Sequence, residues 1–192
     1  MNDELDNWEL CKLSSNYHWD PTVDDSDTVR IIANVYSQWE EEIDRIIPLQ
    51  TPIIADKFEK HIVSGSHMYS SYIIDSTNAN EFPLLSSIGQ LLGIGTYTTS
   101  IQTQTTGVNT PLHIDTVKNQ NNTVRVIVFL QDWYWGQILQ FGNTYLHNWK
   151  AGDVLYFEIE NTPHSTANCS PYPRTIAKIT GNLTDKFLKL IE

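Results

Sequence analysis

Apolar and polar positions follow two rhythms along this chain, and the change between them separates its first half from its second. Across 28–47 the residues Val29, Ile31, Ile32, Val35, Trp39, Ile43, Ile46 and Ile47 recur at helical spacing. Glu40, Glu41, Glu42 and Asp44 fall on the other side, and Pro48 closes the run. The pattern predicts a helix packed on a sheet. Residues 51–75 alternate irregularly, with candidate strands at 52–54 and 70–75. Phe82, Leu84, Leu85, Ile88, Leu91 and Leu92 then mark a second, shorter amphipathic helix over 80–92, closed by Gly93.

Beyond Gly93 the period becomes two. Residues 96–105 are rich in Thr and predict the first long strand; 106–111 predicts a turn that delivers His113. A polar hairpin tip follows at 118–122, and 123–130 is the most strand-like run of the chain. There Val124, Val126, Val128 and Leu130 share one face, and Arg125, Ile127 and Phe129 the other. A hairpin over 137–141 and 143–149 turns at Gly142 and Asn143. A strand is predicted over 154–158, residues 174–180 alternate again, and 185–191 predicts a tail helix covering the sheets. The expected fold class is therefore mainly β with flanking helices.

Composition narrows the function without choosing it. A chain of 192 residues is long enough for one domain with a substantial core. Its formal net charge of −11, with twelve Lys and Arg, argues against direct contact with a nucleic-acid backbone. No apolar run reaches membrane-spanning length, and the opening Met-Asn-Asp-Glu-Leu-Asp lacks the basic and apolar regions of a signal peptide, so a cytoplasmic location is expected. Cys11 and Cys169 are too few for a disulfide framework and read as reduced, incidental thiols. Aromatics among residues 1–27 (Trp8, Tyr17, Trp19) argue against pure disorder there, while Asp24, Asp25 and Asp27 read as a solvated loop. Trp133, Tyr134 and Trp135 read as packing at a sheet edge or cavity mouth. His61, His67 and His147 read as surface or structural histidines.

The candidate chemistry starts at His113 and Asp115. In extended backbone, residues i and i+2 point to one side, so this imidazole and carboxylate can meet one ion. His164, 51 positions on, is the candidate third ligand. Two histidines and a carboxylate on one face of a metal leave the opposite positions open, the pattern of non-haem Fe(II) oxygenases. Ten residues later comes Arg174, whose planar guanidinium suits a bidentate grip on the carboxylate of a chelating oxoacid. Arg125, on the Ile/Phe face of its strand, needs an anionic partner, either a bound oxoacid or an acidic residue of the fold. Tyr97, Gln102 and Gln104 are candidates to face a cavity, a polar outer face being the other reading.

In this order, H-x-D, fifty residues of strand and turn, H, then R, the sequence resembles the 2-oxoglutarate-dependent Fe(II) oxygenase superfamily over roughly residues 95–182. Within it the chain resembles the aspartyl/asparaginyl β-hydroxylase-like branch, which includes free-proline hydroxylases. Arg125 in Thr-Val-Arg-Val-Ile-Val-Phe-Leu, Gly136, the turn at 149–153 and the segment 157–168 carry that closer likeness. Asp115 departs from the membrane-bound members, which lack the metal carboxylate, and sides with the free-amino-acid hydroxylases. The Arg-x-Ser of other branches is absent, since Ile176 follows Arg174 and Thr175.

The resemblance implies a double-stranded β-helix, the cupin-like jelly roll, with Fe(II) on His113, Asp115 and His164. It implies 2-oxoglutarate held by Arg174 with Arg125, O₂ as the oxidant, and hydroxylation of a C–H bond on an amino-acid or peptide side chain. It divides residues 1–192, as a single domain, into an N-terminal part (1–94) packing on the barrel, a catalytic core (95–182) and a C-terminal helix (183–192). Two other readings are open: a cupin-type metalloenzyme that does without an oxoacid, and a non-catalytic jelly-roll binding or virion protein.

Overall fold

The computed structural model describes residues 29–53, 68–115, 122–158 and 162–192. Helices α1 (Glu40–Ile46), α2 (Pro83–Leu92) and α3 (Asp185–Ile191) accompany eleven described strands. Those of the first half are β1 (Val29–Asn34), β2 (Thr51–Ile53), β3 (Tyr69–Ile74), β4 (Tyr97–Gln104) and β5 (Val108–His113). Those of the second are β6 (Thr123–Phe129), β7 (Gln137–Phe141), β8 (Thr144–Leu146), β9 (Asp153–Phe157), β10 (His164–Asn168) and β11 (Arg174–Asn182). They pair antiparallel into a large sheet ordered β1-β9-β6-β11-β4-β3-β2 and a small sheet ordered β5-β10-β7-β8. This is the mainly β, jelly-roll class that the patterning and the resemblance predict.

Strand β6 explains how the large sheet serves two interiors. Its Val124, Val126 and Val128 enter a core shared with Leu85 and Ile88 of α2 and Phe187 of α3. Its Ile127 and Phe129 enter a second core with Leu139 and Phe141 of the small sheet. Period-two alternation thus puts helices on one face and the second sheet on the other. Strand β11 repeats the division: Ala177 and Ile179 join the helical core, whereas Ile176 packs between the sheets.

The helix expected over 28–47 is two elements. Residues Val29–Asn34 form β1, paired with β9, and only Glu40–Ile46 is α-helical. Val29, Ile31 and Ile32 satisfy a helical spacing, but their β-branched side chains also suit a strand, and the free edge of β9 decides between them. Trp39 anchors the junction, fully buried, with its indole N–H donating to the Leu130 carbonyl at 3.1 Å. Glu42, expected on the solvent side, is buried. Its two carboxylate oxygens accept from the backbone N–H groups of Leu84 and Leu85, each at 2.9 Å, and so cap α2.

The turn expected over 106–111 is shorter, because β5 already begins at Val108. Gly107, with φ +80°, makes the reversal. Pro111 is tolerated inside β5 because the ladder is irregular there. His113 pairs with His164 and Thr110 with Thr166, so two residues, Pro111 and Leu112, stand opposite Ser165 alone. The expected hairpin tip at 118–122 lies largely outside the described residues, as do His61, His67 and residues 1–28. Among the described residues no helix is long and apolar enough to cross a membrane.

Candidate active site

The bulge at Pro111 and Leu112 sets His113 directly across the small sheet from His164, the first residue of β10. Their rings stand 4.3 Å apart between centroids, tilted by 52°. Asp115 follows two residues behind His113, with Oδ1 3.4 Å from His113 Nε2 and Oδ2 3.7 Å from His164 Nε2. One ligand atom from each residue lies within 4.8 Å of the others. The structure thus brings together all three residues expected at the metal.

Each imidazole is held from behind in the same way. Nδ1 of His113 is 2.8 Å from the Pro111 carbonyl, and Nδ1 of His164 is 3.1 Å from the Thr162 carbonyl. A carbonyl can only accept, so each Nδ1 carries the proton and each Nε2 presents a lone pair to the common centre. His164 also stacks on Phe141 and tilts against Phe157, which fixes its plane. Burial, then the neighbouring His113, pushes the His164 pKa down to about 4, so it stays neutral and ready to ligate. Burial works to raise the Asp115 pKa, but its contacts with His113 and His164 and the charges of Arg125 and Lys178 prevail. Together they hold its carboxyl well below the ordinary carboxylate range. Two neutral Nε2 atoms and one carboxylate fit a divalent transition metal.

Beside the triad the sheets part to leave a cavity of about 190 Å³, lined among others by Tyr69, Gln104, Thr110, Thr166, Arg174 and Lys178. Arg174 is 3% exposed. Nη1 donates to the Ile138 carbonyl at 3.0 Å, and Nη2 to Gln104 Oε1 and Thr166 Oγ1. All three acceptors are neutral, and no described carboxylate pairs with it. Burial alone pulls its pKa down to about 9. The Thr110 hydroxyl, on the same wall, is buried without a hydrogen-bond partner among the described residues.

Arg125 meets an acidic residue of the fold. Its Nη1 contacts Asp115 Oδ2, and its Nε donates to Thr180 Oγ1 at 2.9 Å. Gln102 and Gln104 line the cavity as one of their two readings expected. Tyr97 does not, because its hydroxyl donates to the Ser86 carbonyl at 2.6 Å on the helical side of the sheet. His147 lies against Trp133 and beside Asn148. Trp133 packs on Trp149 and Trp135 at the small-sheet end. Sequence reading missed Tyr69, Thr110 and Lys178. The signal for Lys178 was available, since Arg174, Ile176 and Lys178 alternate onto one face of β11.

No family model and no curated protein matches the chain. Solved structures do. A Trichoplax adhaerens prolyl hydroxylase, in complex with a hypoxia inducible factor oxygen degradation domain peptide fragment, superposes with a TM-score of 0.59 at 16% identity, over 98% of this chain and 93% of that one. The alpha ketoglutarate-dependent carbocyclase SnoK from nogalamycin biosynthesis gives 0.56 at 13%, over 81% and 80%. A Pseudomonas putida prolyl-4-hydroxylase gives 0.54 at 14%, over 82% and 93%. At these identities the likeness is one of fold. The chain has the double-stranded β-helix fold that these structures share, with a His-Asp-His cluster between its two sheets.

Proposed function

We propose that the chain is a 2-oxoglutarate- and Fe(II)-dependent dioxygenase that hydroxylates an unactivated C–H bond of an amino-acid or peptide side chain, releasing succinate and CO₂. One observation carries this reading: a His113, Asp115, His164 cluster shares a cavity with Arg174, a buried cation that no described carboxylate neutralises. Ferrous iron bound by those three residues supplies the activation of O₂.

The chain's own residues do the rest. The Nδ1 contacts fix the tautomer and aim both Nε2 atoms, and Arg125 fixes the Asp115 carboxylate. Arg174 grips the distal carboxylate of the oxoacid, with the Thr110 hydroxyl, which has no partner among the described residues, beside it to donate. Phe141, Phe157 and Ile127 keep the cavity wall apolar and exclude water from the reacting side. Arg125, already engaged by Asp115, meets the oxoacid at most through its remaining guanidinium N–H groups. Preference for the aspartyl/asparaginyl β-hydroxylase-like branch, and within it for a free amino acid, rests on the sequence motifs around Arg125, Gly136 and Asp115. The peptide-bound prolyl hydroxylase among the fold relatives supports the peptide alternative.

A second reading has one observation in its favour. The Arg174 hydrogen bonds to Ile138, Gln104 and Thr166 are what a purely structural arginine would make, and a cupin-type metalloenzyme would need nothing more from it. Turnover separates the two. Purified chain with Fe(II), ascorbate, 2-oxoglutarate and O₂ is expected to form succinate, and His113→Ala and Arg174→Ala to abolish it. Absence of succinate, together with no visible absorption band on anaerobic addition of Fe(II) and 2-oxoglutarate, would reject the oxygenase reading.

A further inference from the structure

We propose that Lys178 anchors a carboxylate of the primary substrate, so that the cavity takes an anionic molecule beside the oxoacid. The inference rests on the oxygenase reading and names its substrate class.

Lys178 sits on the cavity-facing side of β11, four residues from Arg174 and about 13 Å along an extended strand. It pairs across the large sheet with Ile127 of β6 and Ser100 of β4, at the level of the triad, and its charge acts on both Asp115 and His164. Among the described residues its ammonium has no hydrogen-bond or ion-pair partner. A half-buried lysine without an acceptor costs stability, and here it lies where a bound molecule supplies the acceptor. Tyr69, also on the cavity wall, offers a hydroxyl that likewise makes no hydrogen bond among the described residues and senses the charges of Asp115 and Arg125.

Charge balance gives the sign of the missing group. The wall carries one acid, Asp115, and two bases, Arg174 and Lys178, while Arg125 engages Asp115 from outside the wall. A divalent iron and an oxoacid dianion cancel one another formally, so Arg174 and Lys178 leave the loaded site positive even with the distal carboxylate of the oxoacid placed on Arg174. Lys178 is then still unmatched. A substrate carboxylate matches it, whereas a cationic side chain placed there meets repulsion from Lys178, Arg125 and the metal together. In a chain of net charge −11 this positive interior is a local construction, not a reflection of composition.

The experiment loads the full chain anaerobically with Fe(II) and 2-oxoglutarate and follows perturbation of the visible chelate band. The probes are L-proline and L-leucine, each beside its C-terminal amide, hexanoate, and a capped peptide with one internal Asp. At least one acid is expected to bind, and where it has an amide counterpart, the amide about tenfold or more weaker. Lys178→Met and Lys178→Gln are expected to erase that difference while the chelate band forms at an unchanged 2-oxoglutarate concentration. Preference for the free acids identifies an α- or terminal carboxylate, and preference for the peptide an acidic side chain; both support the anchor. The proposal falls if no acid perturbs the band, if amides bind as well as acids, or if the variants keep the discrimination. It also falls if they lose the chelate band, which would assign Lys178 to the oxoacid. A band missing from the wild-type chain would instead overturn the oxygenase reading itself.

Discussion

Arg125 and Asp115 form an ion pair directly behind the two histidines, guanidinium Nη1 on carboxylate Oδ2, with both side chains less than one-fifth exposed. Removing the arginine leaves a largely desolvated carboxylate uncompensated. Arg125→Leu is therefore expected to cost the metal-free chain about 2–4 kcal/mol of unfolding free energy, measured by urea denaturation. In an Asp115→Asn background the same change is expected to cost under about 1 kcal/mol, because the charge it answers is gone. Equal losses in both backgrounds would assign Arg125 a packing role.

The buried histidine makes stability depend on pH. His164 titrates near pH 4 folded and near its ordinary 6.5 unfolded. Between those values the unfolded chain binds the extra proton, so stability rises with pH across that window and levels off above it. The full swing is up to about 3 kcal/mol, on the scale of roughly 1.4 kcal/mol per unit. Urea midpoints of the metal-free chain at pH 4.5, 5.5 and 6.5 measure it. His164→Gln is expected to flatten the slope; an unchanged slope would place the titration elsewhere.

Metal ions that favour imidazole and carboxylate are expected to raise the melting temperature of the chain. Saturation at a hundred times the dissociation constant corresponds to about 2.7 kcal/mol. Thermal melts with Mn(II), Co(II) or anaerobic Fe(II) test this, and His113→Ala and Asp115→Ala are expected to remove the shift. A shift surviving both changes would mean the ion binds elsewhere.

Arg174 separates metal from oxoacid. Arg174→Met is expected to leave metal binding within about threefold but to weaken 2-oxoglutarate about 10- to 100-fold, the loss of a charge-assisted grip. Anaerobic titration followed by the chelate band reads both constants. Unaltered oxoacid affinity would make Arg174 structural.

Gly136 tests the frame. It adopts φ +91°, and a Cβ there would stand 2.9 Å from the backbone of Cys169 and Ser170. Gly136→Ala is expected to cost about 1–3 kcal/mol, from backbone strain and a contact that no rotamer relieves, while metal affinity changes little in the protein that folds.

That His113, Asp115 and His164 would meet was legible because i, i+2 geometry is local and the order H-x-D, H, R is distinctive. The two faces of β6 were legible because alternation there is strict. Other features depended on partners far along the chain. Val29–Asn34 reads as helix until β9 is known to lie beside it, and Glu42 reads as solvated until the N-terminus of α2 arrives above it. Tyr97 and Gln102 both lie in β4, yet only the register decides which faces the cavity. Lys178 was visible in the alternation of β11, but no local signal marks which face of that strand lines a cavity.

The pairing of β1 with β9 joins residues more than a hundred positions apart, and Phe157, at the end of β9, lies against His164. Contact order, not core size, then governs how the molecule assembles. Nearly the whole chain must leave the ribosome before the large sheet can close, and folding on the slow side, milliseconds to seconds, follows from so many distant pairings. His113 and His164 come from β5 and β10 of the small sheet, strands that meet only after about fifty further residues have been made, so on the proposed reading iron is acquired late in assembly and not by an early nascent chain.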